Sequence, residues 1–139
     1  MYATSLAVIP NGSIKTVSDE KPIILSVDRN RRNSELLAQF LVKQGYQVLS
    51  AASQAEIESV LENTNKIELV LLDISGFDRQ IWSFCQRLQE KAIPFIAIAA
   101  PHQAGMQQAC LACGALGFLI KPLVAQNLLQ LIRNLLQRA

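Results

Sequence analysis

The chain lacks the features that mark several large classes of protein. Its basic residues exceed its acidic residues by two charges, and no basic run is longer than Arg31-Arg32, so we expect no nucleic-acid-binding surface. No apolar run approaches the roughly 20 residues of a membrane span, so no membrane partner is expected. The first residues have neither a basic segment nor a long apolar stretch, which argues against a signal peptide.

Cysteine is also scarce. Three cysteines are an odd number in a chain rich in core residues, which indicates a reducing compartment and a cytoplasmic location rather than a disulfide scaffold. Cys110 and Cys113 form a Cys-x-x-Cys motif at the C-terminal end of a predicted helix, away from the helix N-terminus that would lower a thiol pKa. No second pair is present to complete a zinc site, so we interpret both as small apolar core residues rather than as a redox pair or half a metal site.

What the chain does contain is enough apolar material for one core. Half of its 139 residues are hydrophobic and only 17% are charged, which favours a single globular domain. We assign that domain to residues 22–139. Residues 1–21 are an N-terminal extension, either flexible or folded as a hairpin about Asn11-Gly12.

From residue 22 onward, strand and helix signals alternate five times. Short apolar runs predict strands, whereas apolar residues at helical spacing predict helices, one of which has a capping-box signature from Ser53 to Glu56. The predicted strands are 23–27, 46–51, 67–72, 95–98 and 117–120, and four of the predicted helices are 33–44, 79–91, 102–113 and 123–137. Nearly continuous apolar strands indicate that both faces of the sheet are covered.

This alternation predicts an α/β fold, a three-layer sandwich with a five-stranded parallel sheet. The flavodoxin-like strand order 2-1-3-4-5 fits best, counting strands from residue 23. In such sheets, ligands bind beside the carboxyl ends of the strands, where the strand order reverses. Asp28 and Asp73 follow the first and third strands, and Lys121 follows the fifth, so we expect these three side chains to meet. A lone carboxylate is costly to bury, so Asp73 indicates a site for a cation or a phosphoryl group.

In this order and at these separations, four segments resemble a response-regulator receiver domain of the chemotaxis-protein type. The resemblance covers residues 22–137 and rests on residues 24–28, 69–73, 93–97 and 114–122. It implies that Asp73 is the phosphoacceptor for a histidine kinase, that Lys121 pairs with the phosphoryl group, and that Mg²⁺ binds to Asp28, to Asp73 and, weakly, to the backbone carbonyl of Ser75. An ion pair between Lys121 and Asp73 without transfer chemistry remains an alternative.

Three departures from the family pattern make this an atypical receiver. The family has two acidic residues after the first strand, but here Arg29 takes the second position, which weakens the expected Mg²⁺ site. Arg29 either replaces the metal in part by pairing with Asp73 or points to solvent. Ala99 stands where the family has a switch hydroxyl, and Phe118 occupies the aromatic switch position. The loop after Asp73 lacks the usual Met-Pro pair.

We expect a stand-alone two-component signalling protein, not an enzyme, in which Asp73 is an actual or vestigial phosphoacceptor of a phosphorelay. The alternative is a phosphorylation-independent pseudo-receiver that acts as a docking adaptor. A small flavodoxin-like enzyme or flavin carrier is a third alternative, although the loop after the first strand has no phosphate cradle. The expected partner is a histidine kinase or another signalling protein, and a homodimer is possible. The docking face would be formed by the fourth helix, fifth strand and fifth helix, with Gln103, Gln107, Gln108, Gln126, Gln130, Arg133 and Gln137.

Overall fold

The computed structural model describes residues 6–8, 14–16, 21–64 and 66–136. The strands are β1 (Leu6–Val8), β2 (Ile14–Thr16), β3 (Ile23–Val27), β4 (Gln47–Ala51), β5 (Ile67–Asp73), β6 (Phe95–Ala99) and β7 (Gly117–Ile120). The helices are α1 (Arg31–Lys43), α2 (Gln54–Asn63), α3 (Gln80–Glu90), α4 (Gln107–Ala112) and α5 (Ala125–Leu136), with a 3₁₀ helix at Pro101–Met106.

Strands β3 to β7 form the parallel sheet that the alternating pattern predicts. The spatial order is β4-β3-β5-β6-β7, which is the predicted order 2-1-3-4-5, and each pair of neighbours is parallel. One register shift occurs at the start of the β3–β5 pair, between Ile23 and Ile24. Beyond that point the register is regular and brings the carboxyl ends of β3, β5 and β6 to one edge of the sheet.

The core lies in two layers, one on each face of the sheet. One layer contains Ile57 of α2, Phe84 and Leu88 of α3 and Cys110 of α4. The other contains Leu41 of α1 together with Leu128 and Ile132 of α5. Helices therefore cover both faces, and the three-layer sandwich is confirmed.

Two helix starts show how local sequence fixes the loops beside the site. Asn30 caps α1, and its side chain accepts a hydrogen bond from the backbone N–H of Asn33, so α1 begins two residues before the predicted position. Ser53 caps α2 as its spacing predicts, with its hydroxyl accepting from the N–H of Glu56. The Glu56 carboxylate accepts from the N–H of Ala52 and also pairs with Arg31, so it connects the starts of the two helices.

The predicted helix 102–113 differs from the structure. Its first half is the 3₁₀ helix Pro101–Met106, and the α-helix begins only at Gln107. Gly105 has a low helix propensity, and the side chain of Gln103 accepts a hydrogen bond from the N–H of Ala100, which favours a short, tight first segment.

The described parts of the N-terminal extension contain one pair of strands. β1 and β2 pair antiparallel, with Leu6 opposite Thr16 and Val8 opposite Ile14. The Asn11-Gly12 turn proposed for this hairpin lies outside the described residues. In the part of the chain that the structure describes, no helix has the length and apolar content needed to cross a bilayer.

Candidate phosphoryl-transfer site

Asp73 is the buried centre of the site. It is the last residue of β5, lies opposite Ile98 of β6 and has only 3% of its surface exposed. Its Oδ2 atom forms an ion pair with Nζ of Lys121. A buried carboxylate without a partner would be strongly destabilising, so this ion pair makes the position of Asp73 tenable.

Ser75 provides the second set of contacts to Asp73, and it does so through groups that the sequence interpretation missed. Its backbone N–H donates to Oδ1 of Asp73 over 2.9 Å, and its hydroxyl donates to the same oxygen. The hydroxyl oxygen also accepts from Nζ of Lys121 over 3.0 Å. Only the carbonyl of Ser75 was predicted to matter. The Ser75 hydroxyl in fact joins the acid and the amine in one hydrogen-bonded triangle.

Lys121 is positioned by the end of the neighbouring strands. Its backbone N–H donates to the carbonyl of Ala99 over 2.9 Å, which extends the β6–β7 pairing by one residue. The Lys121-Pro122 peptide bond is cis. The side chain is 30% exposed, so its ammonium lies at the rim of the site, within reach of an incoming anion.

Asp28 is the second carboxylate of the site. Its backbone N–H donates to the carbonyl of Ala51 over 3.0 Å, and its Oδ1 atom accepts from the N–H of Asn30 over 2.8 Å. Burial raises the pKa of Asp28, and the nearby negative charge of Asp73 raises that pKa further. The two carboxylates are therefore close enough to interact, as predicted from their strand ends.

Asp28, Asp73 and Lys121 line a common cavity of about 210 Å³. Its remaining walls come from β3, β5 and β6, from α1 and from the segment after β7; they include Asn33, Leu37, Leu71, Ile98 and Leu123. Most of the lining residues are apolar, and the charged ones are Asp28, Asp73 and Lys121. The three side chains from three different strand ends do meet, as the predicted topology requires.

Arg29 has a different partner from the one proposed. Its guanidinium lies over the ring of Phe77, with Cζ 5.6 Å from the ring centroid, and the residue is exposed. Among the described residues it forms no ion pair with Asp73. Arg29 therefore connects the loop after β3 to the loop after β5 by a cation–π contact. In this conformation, no direct contact with Asp73 supports the hypothesis that Arg29 replaces a metal there.

The residues present do not fit the Mg²⁺ site that the resemblance implies. No group of three or more His, Cys, Asp or Glu side chains in the described part of the chain could hold a metal ion. Mg²⁺ requires oxygen ligands in a nearly octahedral arrangement. Here Asp28 and Asp73 supply two carboxylates, the oxygens of Asp73 are already bonded to Ser75 and Lys121, and the position of a third carboxylate is taken by Arg29.

Ala99 and Phe118 are both placed as expected for the positions of the family switch. Ala99 ends β6 and is completely buried, so a methyl group lies where the family has a hydroxyl. Phe118 is half-buried in β7, opposite Ala97, and packs against the core layer of α2, α3 and α4. Neither side chain provides a hydrogen bond to the site.

The cysteines, the tryptophan and the histidine do not line this cavity. Cys85 and Cys110 are buried, Cys113 is half-buried, and burial raises the pKa of the Cys85 thiol to about 12. Trp82 packs against the core, and His102 is exposed in the 3₁₀ helix.

The predicted docking face contains more apolar surface than its glutamines suggested. Gln107, Gln108, Gln126, Gln130 and Arg133 are exposed, Gln103 is half-buried and Gln137 lies outside the described residues. The same region also exposes large apolar side chains, which the sequence interpretation missed: Leu111, Leu116, Ile120 and Val124.

Comparisons with known proteins identify the family of this chain. The family model of the response regulator receiver domain matches residues 24–133. A response regulator receiver protein from Burkholderia phymatum has a similar structure, with 26% identity and a TM-score of 0.77, covering 86% of this chain and 98% of that chain.

Two curated relatives are larger proteins. The transcriptional regulatory protein AruR of Pseudomonas aeruginosa is 30% identical, over 84% of this chain and 50% of AruR. The sensor histidine kinase RcsC of Salmonella typhi is 29% identical, over 89% of this chain and 13% of RcsC. The chain thus spans half or less of these two relatives. Since the family model covers most of its length, the chain belongs to the family of response regulator receiver domains.

Proposed function

We propose that this chain is a two-component receiver in which Asp73 accepts a phosphoryl group from a phosphohistidine of a histidine kinase. The observation that supports this most strongly is the buried Asp73 carboxylate, which is held by Lys121 and Ser75 and lines a cavity. Receiver domains typically bind Mg²⁺ for this reaction. In this chain we expect any contribution of the metal to be weak, because its ligand set is incomplete.

The chain's own residues have distinct roles in the proposed transfer. A carboxylate oxygen of Asp73 forms a bond to phosphorus while the phosphorus–nitrogen bond of the donor breaks, and the histidine then takes up a proton from water. The Lys121 ammonium and the N–H of Ser75 stabilise negative charge on the acceptor and the phosphoryl oxygens. The kinase brings the phosphoryl group, and the receiver only accepts it, so we do not propose an independent enzymatic activity.

Intact mass spectrometry after incubation with acetyl phosphate tests the phosphoacceptor. We expect an adduct of one phosphoryl group on the wild-type protein and none on Asp73→Asn. Asp78→Asn is a matched control, because Asp78 is a neighbouring carboxylate in the loop after β5. Asp78 is exposed, and it accepts a hydrogen bond from the N–H of Gln80. An adduct that persists in Asp73→Asn, or no adduct on the wild type, would contradict the proposal.

A second candidate function is a phosphorylation-independent docking adaptor. It is favoured by Ala99, which leaves the switch without a hydroxyl, and by the exposed apolar side chains of the segment from Leu111 to Val124. This segment includes β7, which is an edge strand of the sheet. We propose it as the docking surface for a signalling protein of the cytoplasm, or for a second copy of the chain.

Hydrogen exchange separates the two functions. If phosphorylation controls docking, exchange in residues 111–124 changes after treatment with acetyl phosphate in the wild type but not in Asp73→Asn. If the protein is an adaptor, exchange in this segment is the same with and without the adduct.

A further inference from the structure

The charge balance around Asp73 changes sharply when a phosphoryl group arrives. In the unmodified site, the Asp73 carboxylate is neutralised by Lys121. An aspartyl phosphate carries about −1.5 to −2 charges near neutral pH, in place of the single negative charge of the carboxylate. Lys121 alone cannot balance that charge, and the carboxylates that would hold a divalent cation are incomplete. The site as described therefore lacks one positive charge for its proposed product.

Arg29 is the nearest cation in sequence to the site's carboxylates, and it is held loosely. It directly follows Asp28, it is exposed, and its contact with Phe77 is a surface cation–π pair at 5.6 Å. Such exposed pairs favour the contact by a factor of only about two to five. A phosphoryl group with its oxygens at hydrogen-bond distance would compete easily for the guanidinium, whose planar fork matches phosphate oxygens in a bidentate arrangement.

Gly76 brings the base of the Arg29 side chain close to the loop that follows Asp73. A Cβ atom placed on Gly76 would lie 3.4 Å from Cγ and 3.5 Å from Cβ of Arg29. These distances are ordinary van der Waals contacts, and Gly76 has a φ of +90°, a conformation that other residues rarely adopt. The first atoms of Arg29 are thus already beside the site, and only the outer part of the side chain has to rotate.

We infer that Arg29 takes the place of the divalent cation: it leaves Phe77 and pairs with the phosphoryl group on Asp73, so that the site holds a tetrahedral anion without metal. This inference rests on the proposed phosphoacceptor role of Asp73. It assigns Phe77 as the resting partner of the guanidinium, and it explains why an arginine is tolerated beside a carboxylate that would otherwise bind a metal.

Titration with beryllofluoride, a mimic of the phosphoryl group, tests the inference. The protein is freed of divalent ions on a chelating resin, and binding is followed by NMR at the Arg29 Nε–H group and at its side-chain protons, which feel the ring of Phe77. We expect binding to the wild type without Mg²⁺, together with loss of the ring-current shift on Arg29. Added Mg²⁺ should change the affinity by less than threefold.

Three variants sharpen the test. Arg29→Gln should lower metal-free affinity at least tenfold, because the guanidinium is lost. Phe77→Leu keeps an apolar side chain but removes the ring, so it should raise metal-free affinity about two- to fivefold. Arg29→Asp supplies a further carboxylate, and its binding of beryllofluoride should require Mg²⁺.

The possible outcomes distinguish this inference from the proposed function. If the wild type binds beryllofluoride only with Mg²⁺, or if Arg29→Gln binds as tightly as the wild type without metal, the inference is overturned while Asp73 remains the acceptor. If neither the wild type nor Arg29→Asp binds under any condition, and acetyl phosphate gives no adduct, both the inference and the proposed function are overturned.

Discussion

The ends of β5 and β6 are neighbours in the sheet, yet they are built in opposite ways. β5 ends in Asp73, a buried charge with partners in Ser75 and Lys121. β6 ends in Ala99, which is also completely buried but offers only its backbone carbonyl, an acceptor for the N–H of Lys121. One strand end therefore carries a buried acid with its counter-ion, and the side chain at the other end offers no hydrogen-bonding group.

This difference separates two tasks that the receiver family combines. The proposed acceptance of a phosphoryl group uses the Asp73 carboxylate, which has Lys121 as its cationic partner. Transmission of the signal needs a group that moves toward the new anion, and a methyl group at Ala99 cannot donate a hydrogen bond. Four substitutions test this contrast between the two strand ends, from the largest expected effect to the smallest.

Lys121→Met should have the largest effect, because it leaves the Asp73 carboxylate buried without its counter-ion. We expect a loss of about 3 kcal/mol in the free energy of unfolding, near the low end for a broken buried pair since Lys121 is partly exposed. Urea unfolding measures this loss. Lys43→Met, at an exposed position of α1, is the control. The double variant Asp73→Asn with Lys121→Met should recover at least half of the stability, and no recovery would contradict the assigned pairing.

Ala99→Thr tests the other strand end. The added atoms must fit a fully packed position, and we expect a loss of about 1–2 kcal/mol in the free energy of unfolding. Ala97→Thr is the matched control, because Ala97 is equally buried two residues earlier in β6, opposite Leu72 and Phe118. The hydroxyl of the Ala97→Thr variant would be unpaired, so Ala97→Thr should be more destabilising than Ala99→Thr. Equal losses in urea unfolding would show that the end of β6 offers the new hydroxyl no partner.

Ser75→Ala removes the hydroxyl that bonds to both Asp73 and Lys121. The backbone N–H of Ser75 still donates to Asp73, so we expect a loss of only about 1 kcal/mol in the free energy of unfolding. Ser83→Ala, at an exposed position of α3, is the control. A loss no larger than that of the control in urea unfolding would mean that the hydroxyl contributes nothing to the triangle.

Asp28→Asn should have the smallest effect, and it should be stabilising. Burial raises the pKa of Asp28 above its ordinary value of 3.8, so at pH 7 the folded protein carries a charge that burial disfavours. An Asn side chain keeps an oxygen to accept from the N–H of Asn30 without that charge. The gain should be present at pH 7 and should disappear as the pH falls through the raised pKa towards 3.8. Urea unfolding at several pH values measures it, and a variant less stable than the wild type at pH 7 would contradict this sign.

The meeting of Asp28, Asp73 and Lys121 could be predicted from the sequence because strand ends are fixed by topology. Once the apolar runs are read as parallel strands, their carboxyl ends must lie at one edge. The hydroxyl contacts of Ser75 and the stacking of Arg29 on Phe77 could not be predicted in the same way. Both depend on loop conformation, and loops carry no periodic pattern that fixes where a side chain points.

The 3₁₀ start of the fourth helix and the apolar part of the docking face could not be predicted from the sequence either. The apolar spacing of residues 102–113 is the same for an α-helix as for a 3₁₀ turn followed by one. The exposure of Leu116 and Ile120 depends on β7 being an edge strand, which leaves them without a neighbour on one side. Composition alone, with its many glutamines, suggested a more polar surface than the fold presents.

The connection made by Glu56 has a consequence for how the site can move. Its carboxylate holds the N–H of Ala52 and also Arg31, which stands two residues after Arg29. The backbone that carries Asp28 and Arg29 is thus connected to the start of α2, on the side away from Asp73. This connection includes a surface ion pair, which salt weakens. The hydrogen bonds of Asp28 with Asn30 and with the carbonyl of Ala51 do not depend on that ion pair, so we expect the strand-to-helix connection to keep its conformation even in concentrated salt.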